Sequence, residues 1–117
     1  MISVSVNMTE PIITIVDEDH LRKLFSEGEF VSRAESGELA IEIVKNKHPS
    51  QTAANEPFCT KSQMISYRRP DGTEVARAHR YLRPDGSTGA SGLPDPKKVL
   101  YKGILFQLGS LRIPSIQ

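Results

Sequence analysis

The 117-residue chain has no tryptophan, one cysteine and only seven phenylalanine and tyrosine rings. With a single thiol, Cys59, no intramolecular disulfide can form, so packing alone must hold the fold. Secreted domains of this size are more often cross-linked, which makes a reducing cytoplasm the expected setting. No run approaches the roughly 18 apolar residues of a spanning helix, and no membrane partner is expected. The start, Met1-Ile2-Ser3-Val4-Ser5-Val6-Asn7-Met8, lacks the basic opening and apolar block of a signal peptide. Metal-ligand spacing is missing as well: His20, His48 and His79 fall in different segments and none stands in a zinc pattern with Cys59. Helix capping accounts for the acidic run Asp17-Glu18-Asp19 without a metal. No cofactor is expected, and no catalytic signature is present.

What is present suffices for a fold. Apolar residues make up 38% and charged residues 25%, enough to bury a lean core. The chain reads as an N-terminal extension over 1–11, a single α+β domain over 12–108 and a C-terminal tail over 109–117. Ile12-Ile13-Thr14-Ile15-Val16 is nearly all β-branched and predicts a short buried strand. Asp17 offers an N-cap to a helix over 18–27, with Leu21, Leu24 and Phe25 at helical spacing and Gly28 placed for a left-handed end. Ser32 and Glu35 fit a capping box, and Leu39, Ala40, Ile43 and Val44 predict a second helix that His48-Pro49 would end.

The clearest local signal lies between 63 and 83. Pro70-Asp71-Gly72 separates two strand-like runs and specifies a three-residue hairpin loop closed by Arg69 and Thr73. Counting outward sets Arg68 against Glu74, Tyr67 against Val75 and Ile65 against Arg77. The tetrapeptide Arg-Pro-Asp-Gly recurs at 83–86, which reads as the same turn used twice in a meander. Residues 49–58 and 87–94 carry loop chemistry; Asp95-Pro96 is expected to open a short helix, and Ile104–Leu108 a last strand. The expected architecture is α+β, with two N-terminal helices packed on one face of a small antiparallel sheet built around the 63–83 hairpin.

The net charge of +1 conceals an asymmetry. Residues 1–59 hold five basic groups against ten acidic ones, and residues 60–117 hold ten against four. The second half can therefore meet an anionic partner, or the two halves attract each other across the fold. Alternation along the second hairpin strand puts Val75, Arg77, His79 and Tyr81 on one side and Ala76, Ala78, Arg80 and Leu82 on the other. Small alanines suit close approach to helices, which leaves a cation, a titratable imidazole and a polar aromatic on the open face. Such a set could hold a phosphate, move a proton and stack a base. Gly86-x-x-Gly89-x-x-Gly92, ahead of Lys97-Lys98, could also cradle an anion, although no Gly-Lys-Ser/Thr triplet makes it a phosphate loop.

The order strand–helix–helix–antiparallel strands over 12–108 looks like that of the small endoribonuclease toxins of bacterial toxin–antitoxin pairs. Those carry Arg, His, Lys or Tyr on the open sheet face; this chain departs from them in being nearly neutral. The leading expectation is a non-enzymatic interaction module whose basic half, through Arg77, His79, Tyr81, Lys97 and Lys98, binds an acidic protein surface or a nucleic-acid backbone. The alternative is a metal-independent endoribonuclease with His79 as general acid or base, Arg77 steadying the phosphate and Tyr81 orienting the substrate. A homo-oligomer pairing through an exposed strand edge is the third.

Overall fold

The computed structural model describes residues 12–47, 56–57, 59–89 and 92–109. The expectations for residues 1–11, for most of the 49–58 connection and for the tail beyond Gly109 lie outside these residues. The elements run β1 (Ile12–Val16), α1 (Glu18–Glu27), α2 (Phe30–Glu35), β2 (Ala40–Lys47), β3 (Lys61–Arg68), β4 (Glu74–Leu82), β5 (Asp95–Tyr101) and β6 (Ile104–Leu108). This is an α+β fold with two helices and one six-stranded sheet, ordered β1-β6-β5-β4-β3-β2.

The sheet is mixed, where a purely antiparallel one was expected. From β2 to β6 it is an antiparallel meander, but β1 pairs parallel with β6, Ile12 opposite Ile104 through Val16 opposite Leu108. The helices carry the chain from β1 to the far side of the sheet, which leaves β1 and β2 as its two edges. Hence β1 is not buried as its composition suggested: Ile12, Ile13 and Ile15 are 70%, 59% and 54% exposed.

Helix α1 forms where its sequence placed it. The Asp17 carboxylate accepts the His20 amide at 2.9 Å, closing one of the free N–H groups of the first turn. Leu21, Leu24 and Phe25 are buried among Ile65, Tyr67, Ala76, Ala78 and Val99. Gly28 is not left-handed (φ −78°); Glu29 takes that conformation at φ 53°. What Gly28 provides is room, because a Cβ there would collide with the Phe30 ring.

Two predicted helices are strands. Helix α2 has only six residues and ends at Glu35, and Ala40–Lys47 extends along β3 as β2. Leu39, Ile41 and Ile43 also alternate, and β-branched residues are better accommodated beside Ile65 and Tyr67 than in a lone helical turn. Likewise Asp95–Tyr101 is β5, with Val99 fully buried opposite Ala76. Pro96 sits where the β4–β5 register shifts, a place in a sheet that tolerates a missing N–H.

The β3–β4 hairpin closes as its turn chemistry dictates. Gly72 donates to the Arg69 carbonyl at 2.8 Å, Arg69 to that of Thr73 at 2.9 Å, and Gly72 has φ +92°. The second Arg-Pro-Asp-Gly repeats both bonds, with Gly86 on Arg83 and Arg83 on Ser87, each at 2.9 Å. Arg68 stands opposite Glu74 as expected, but Tyr67 faces Ala76 and Ile65 faces Ala78. The register slips by one because Val75 is an extra residue in β4, a bulge that buries both Val75 and Ala76. Arg68 and Glu74, though opposite each other, do not pair: Arg68 pairs with Glu42 at 2.7 Å and Glu74 with Arg77 at 2.8 Å.

Candidate functional site

Directly paired residues in a sheet point to the same side, so the register defines two faces. One carries Tyr67, Ala76 and Val99 and packs with α1. The other carries the row Glu42–Ser66–Arg77–Lys98–Gln107, the row Lys45–Met64–His79–Asp95 and the row Lys47–Ser62–Tyr81. The sequence-predicted residues Arg77, His79 and Tyr81 thus share this open face. Lys98 joins them beside Arg77, and Lys97 occupies the register shift next to it, both on a strand rather than on a helix.

These side chains are not equivalent. Arg77 Nε donates to Glu74 Oε2 at 2.8 Å, and the Ser66 hydroxyl donates to the same oxygen at 2.6 Å. Burial pushes the Glu74 carboxyl up, but those two bonds and the charges of Arg77 and Lys98 outweigh it and hold the group below the usual range. Arg77 is therefore occupied by a permanent carboxylate, which weakens it as a free phosphate clamp.

His79 sits on a different network. Its Nε2 lies 2.7 Å from the Ser62 hydroxyl, and its ring meets Tyr81 edge-on at 4.8 Å between centroids. Burial lowers its pKa first, and the Lys97 and Lys47 charges lower it further against the opposing pull of Asp95. Asp95 is itself held by Lys97 at 3.2 Å and by Arg22 at 3.5 Å. The imidazole is neutral at neutral pH and has a hydroxyl within hydrogen-bond reach, the state a general base requires.

A pH dependence follows. Because the folded pKa lies below the unfolded one, the His79 contribution is complete above about pH 6.5. It is lost as the pH falls from there through the folded pKa, since the unfolded chain binds the proton first. Thermal melts between about pH 7.5 and pH 5 should therefore show a steeper fall in Tm for the wild type than for His79→Gln. Equal slopes would show that His79 is not shielded from protonation.

Sequence reasoning missed Glu42, Lys45 and Lys47 because reading β2 as a helix removed one side of the face, and it missed Ser62 and Ser66 on β3 because only the cross-strand register brings them to His79 and Arg77. The alternation of Ile41 and Ile43 about Glu42 was the available signal. The glycine loop is not an anion cradle at Gly89. Its amide donates to the Tyr81 carbonyl at 2.7 Å, and the buried Glu56 carboxylate lies against its Cα, so a second anion there would be repelled. Cys59 is exposed, and among the described residues no three His, Cys, Asp or Glu side chains come together to hold a metal ion. Comparisons with protein-family models, with curated proteins and with solved structures find no match to this chain.

Proposed function

We propose that this domain is a small interaction module that holds a polyanion, foremost a nucleic-acid backbone, on the open face of its sheet. The observation that carries this reading is the distribution of charge along the rows of that face. Lys45, Lys47, Arg68, Arg77, Lys97 and Lys98 surround the His79–Tyr81 pair against three carboxylates, Glu42, Glu74 and Asp95. Three cations are matched by those acids; Lys45, Lys47 and Lys98 make no ion pair among the described residues. The acidic groups of the first half gather instead in the helical segment, where Asp17, Glu18, Asp19, Glu27, Glu29, Glu35 and Glu38 outnumber Arg22, Lys23 and Arg33. The molecule is electrically two-sided, and Tyr81 adds a ring on which a base can stack.

Binding to single-stranded RNA, followed by fluorescence anisotropy, should weaken steeply as salt rises, since each phosphate contact releases condensed cations. Lys47→Glu with Lys98→Glu should lower affinity for all sequences alike and flatten the log–log salt slope by about 1.4, roughly 0.7 for each lost contact. Negligible RNA and DNA affinity at low salt would remove the nucleic-acid branch and leave an acidic protein surface as the partner.

A second reading, a metal-independent endoribonuclease, is favoured by one observation, the neutral His79 paired with Ser62. Incubation with total RNA in chelator tests it in the same experiment. Intact RNA, or cleavage that survives His79→Ala, removes His79 from any catalytic role.

A further inference from the structure

The register of β4 and β5 leaves part of a strand uncovered. Their pairing ends at His79 opposite Asp95, yet β4 continues through Arg80, Tyr81 and Leu82. Past that point, among the described residues, the chain meets β4 again only through the Leu82–Thr88 bridge and the Gly89 amide on Tyr81. Between these two attachments the edge of β4 opens into a cleft of about 870 Å³ that reaches α1 and α2. Its size is that of a site for a small molecule.

The walls and the charge of this cleft differ in kind. Edges of Phe25 and Phe30, whose rings stack at 5.6 Å, form the inner wall with Pro96, and Leu93, 63% exposed, stands at the rim. Three cations reach the cleft, and two are occupied: Arg22 by Glu18, Asp19 and Asp95, and Lys97 by Asp95. Arg80 has no carboxylate partner among the described residues. Its Nε donates to Gln63 Oε1 at 2.9 Å, and Gln63, 2% exposed, is in turn tied to Asn46 at 3.3 Å. A buried amide thus fixes the guanidinium by one nitrogen and leaves its terminal fork without a hydrogen-bond or ion-pair partner among the described residues, the geometry that takes a carboxylate or phosphate in two parallel bonds.

We propose that the cleft binds a small amphiphilic anion, an aromatic or branched apolar body carrying one carboxylate or phosphate, with Arg80 on the anion and Phe25, Phe30, Pro96 and Leu93 on the body. The cleft and the open face share His79, Tyr81 and Lys97 at their border, but the unpaired cations that carry the open-face reading, Lys45, Lys47 and Lys98, do not line the cleft, so their substitution separates the two sites.

The test uses the full chain and amide NMR, with 4-phenylbutyrate, phenyl phosphate and the uncharged 4-phenylbutyramide as probes. At least one anion should give saturable shifts around Phe25, Arg80 and Leu93, and the response of the two anions tells carboxylate from phosphate. The amide should bind at least about tenfold more weakly, and Arg80→Gln should cost a similar factor, the usual worth of hydrogen bonds to a charged group. Leu93→Asp, at a position that is 63% exposed, should weaken the anion as well. Lys47→Glu with Lys98→Glu should leave it unchanged. Equal affinity for acid and amide, full-strength binding in both cleft variants, loss of binding in the lysine pair, or no saturation by about 10 mM would each overturn the proposal.

Discussion

Phe30→Ala is expected to lower stability by about 3–5 kcal/mol, the range for emptying a buried aromatic site. Phe30 is 2% exposed, stacks on Phe25 at 5.6 Å and tilts against Tyr67 at 6.4 Å. Arg33 lies 5.3 Å from the ring centroid and is held in turn by Glu38 at 2.8 Å and by the Gly28 carbonyl at 3.2 Å. Six residues are too few for a helix to persist alone, so α2 exists because this ring anchors it. In a thermal melt the loss should exceed about 10 °C, at roughly 4 °C per kcal/mol for a domain near 100 residues. Leu93→Ala, at the exposed rim, should change stability by no more than about 0.5 kcal/mol. A Phe30→Ala midpoint within about 2 °C of the wild type would mean that the aromatic cluster does not hold the helices on the sheet.

The second large effect is expected at Gly89. A Cβ there would stand 2.5 Å from the Glu56 carboxyl carbon, and the Glu56 side chain is only 3% exposed. That carboxylate receives Arg83 through Nε at 2.7 Å and through a second nitrogen at 3.4 Å, and the bond raises the Arg83 pKa above its usual value. Gly89→Ala should therefore overfill the site at a cost of about 1–3 kcal/mol. The signature is its coupling to the acid. In a Glu56→Ala background the cost of Gly89→Ala should fall by half or more, because the group it strikes is gone. Strict additivity would place the strain elsewhere than at the carboxylate.

The legible parts of this protein were those in which local chemistry leaves one choice. Asp17 as a cap, Pro-Asp-Gly as a three-residue loop and the second copy of that loop all form as their residues demand. Segments 40–47 and 95–101 were misread because their apolar spacing suits both periods, and the decision lay with partners distant in sequence: Ile65 and Tyr67 for one, Ala76 for the other. Nor could a turn-based count foresee the Val75 bulge, which depends on what lies beneath the sheet rather than on the loop. At the site, Arg77, His79 and Tyr81 were found by alternation alone. The carboxylate that occupies Arg77 is that of Glu74, three residues earlier on the same strand and brought to the same face by the Val75 bulge, and the hydroxyl that meets His79 comes from Ser62, 17 positions away on β3. Arg80 escaped notice for the same reason, since only the early end of β5 exposes it.

The parallel pairing of β1 with β6 has a mechanical consequence. Tension between Ile12 and Leu108 enters at opposite ends of two neighbouring strands and runs along them, so the five paired positions from Ile12–Ile104 to Val16–Leu108 resist sliding together. An antiparallel closing pair would be loaded at one end and would open rung by rung. The meander from β2 to β6, every turn of which would unzip under direct load, lies behind that seam, so a force drawn through these two strands must shear β1 from β6 before it reaches the remaining strands.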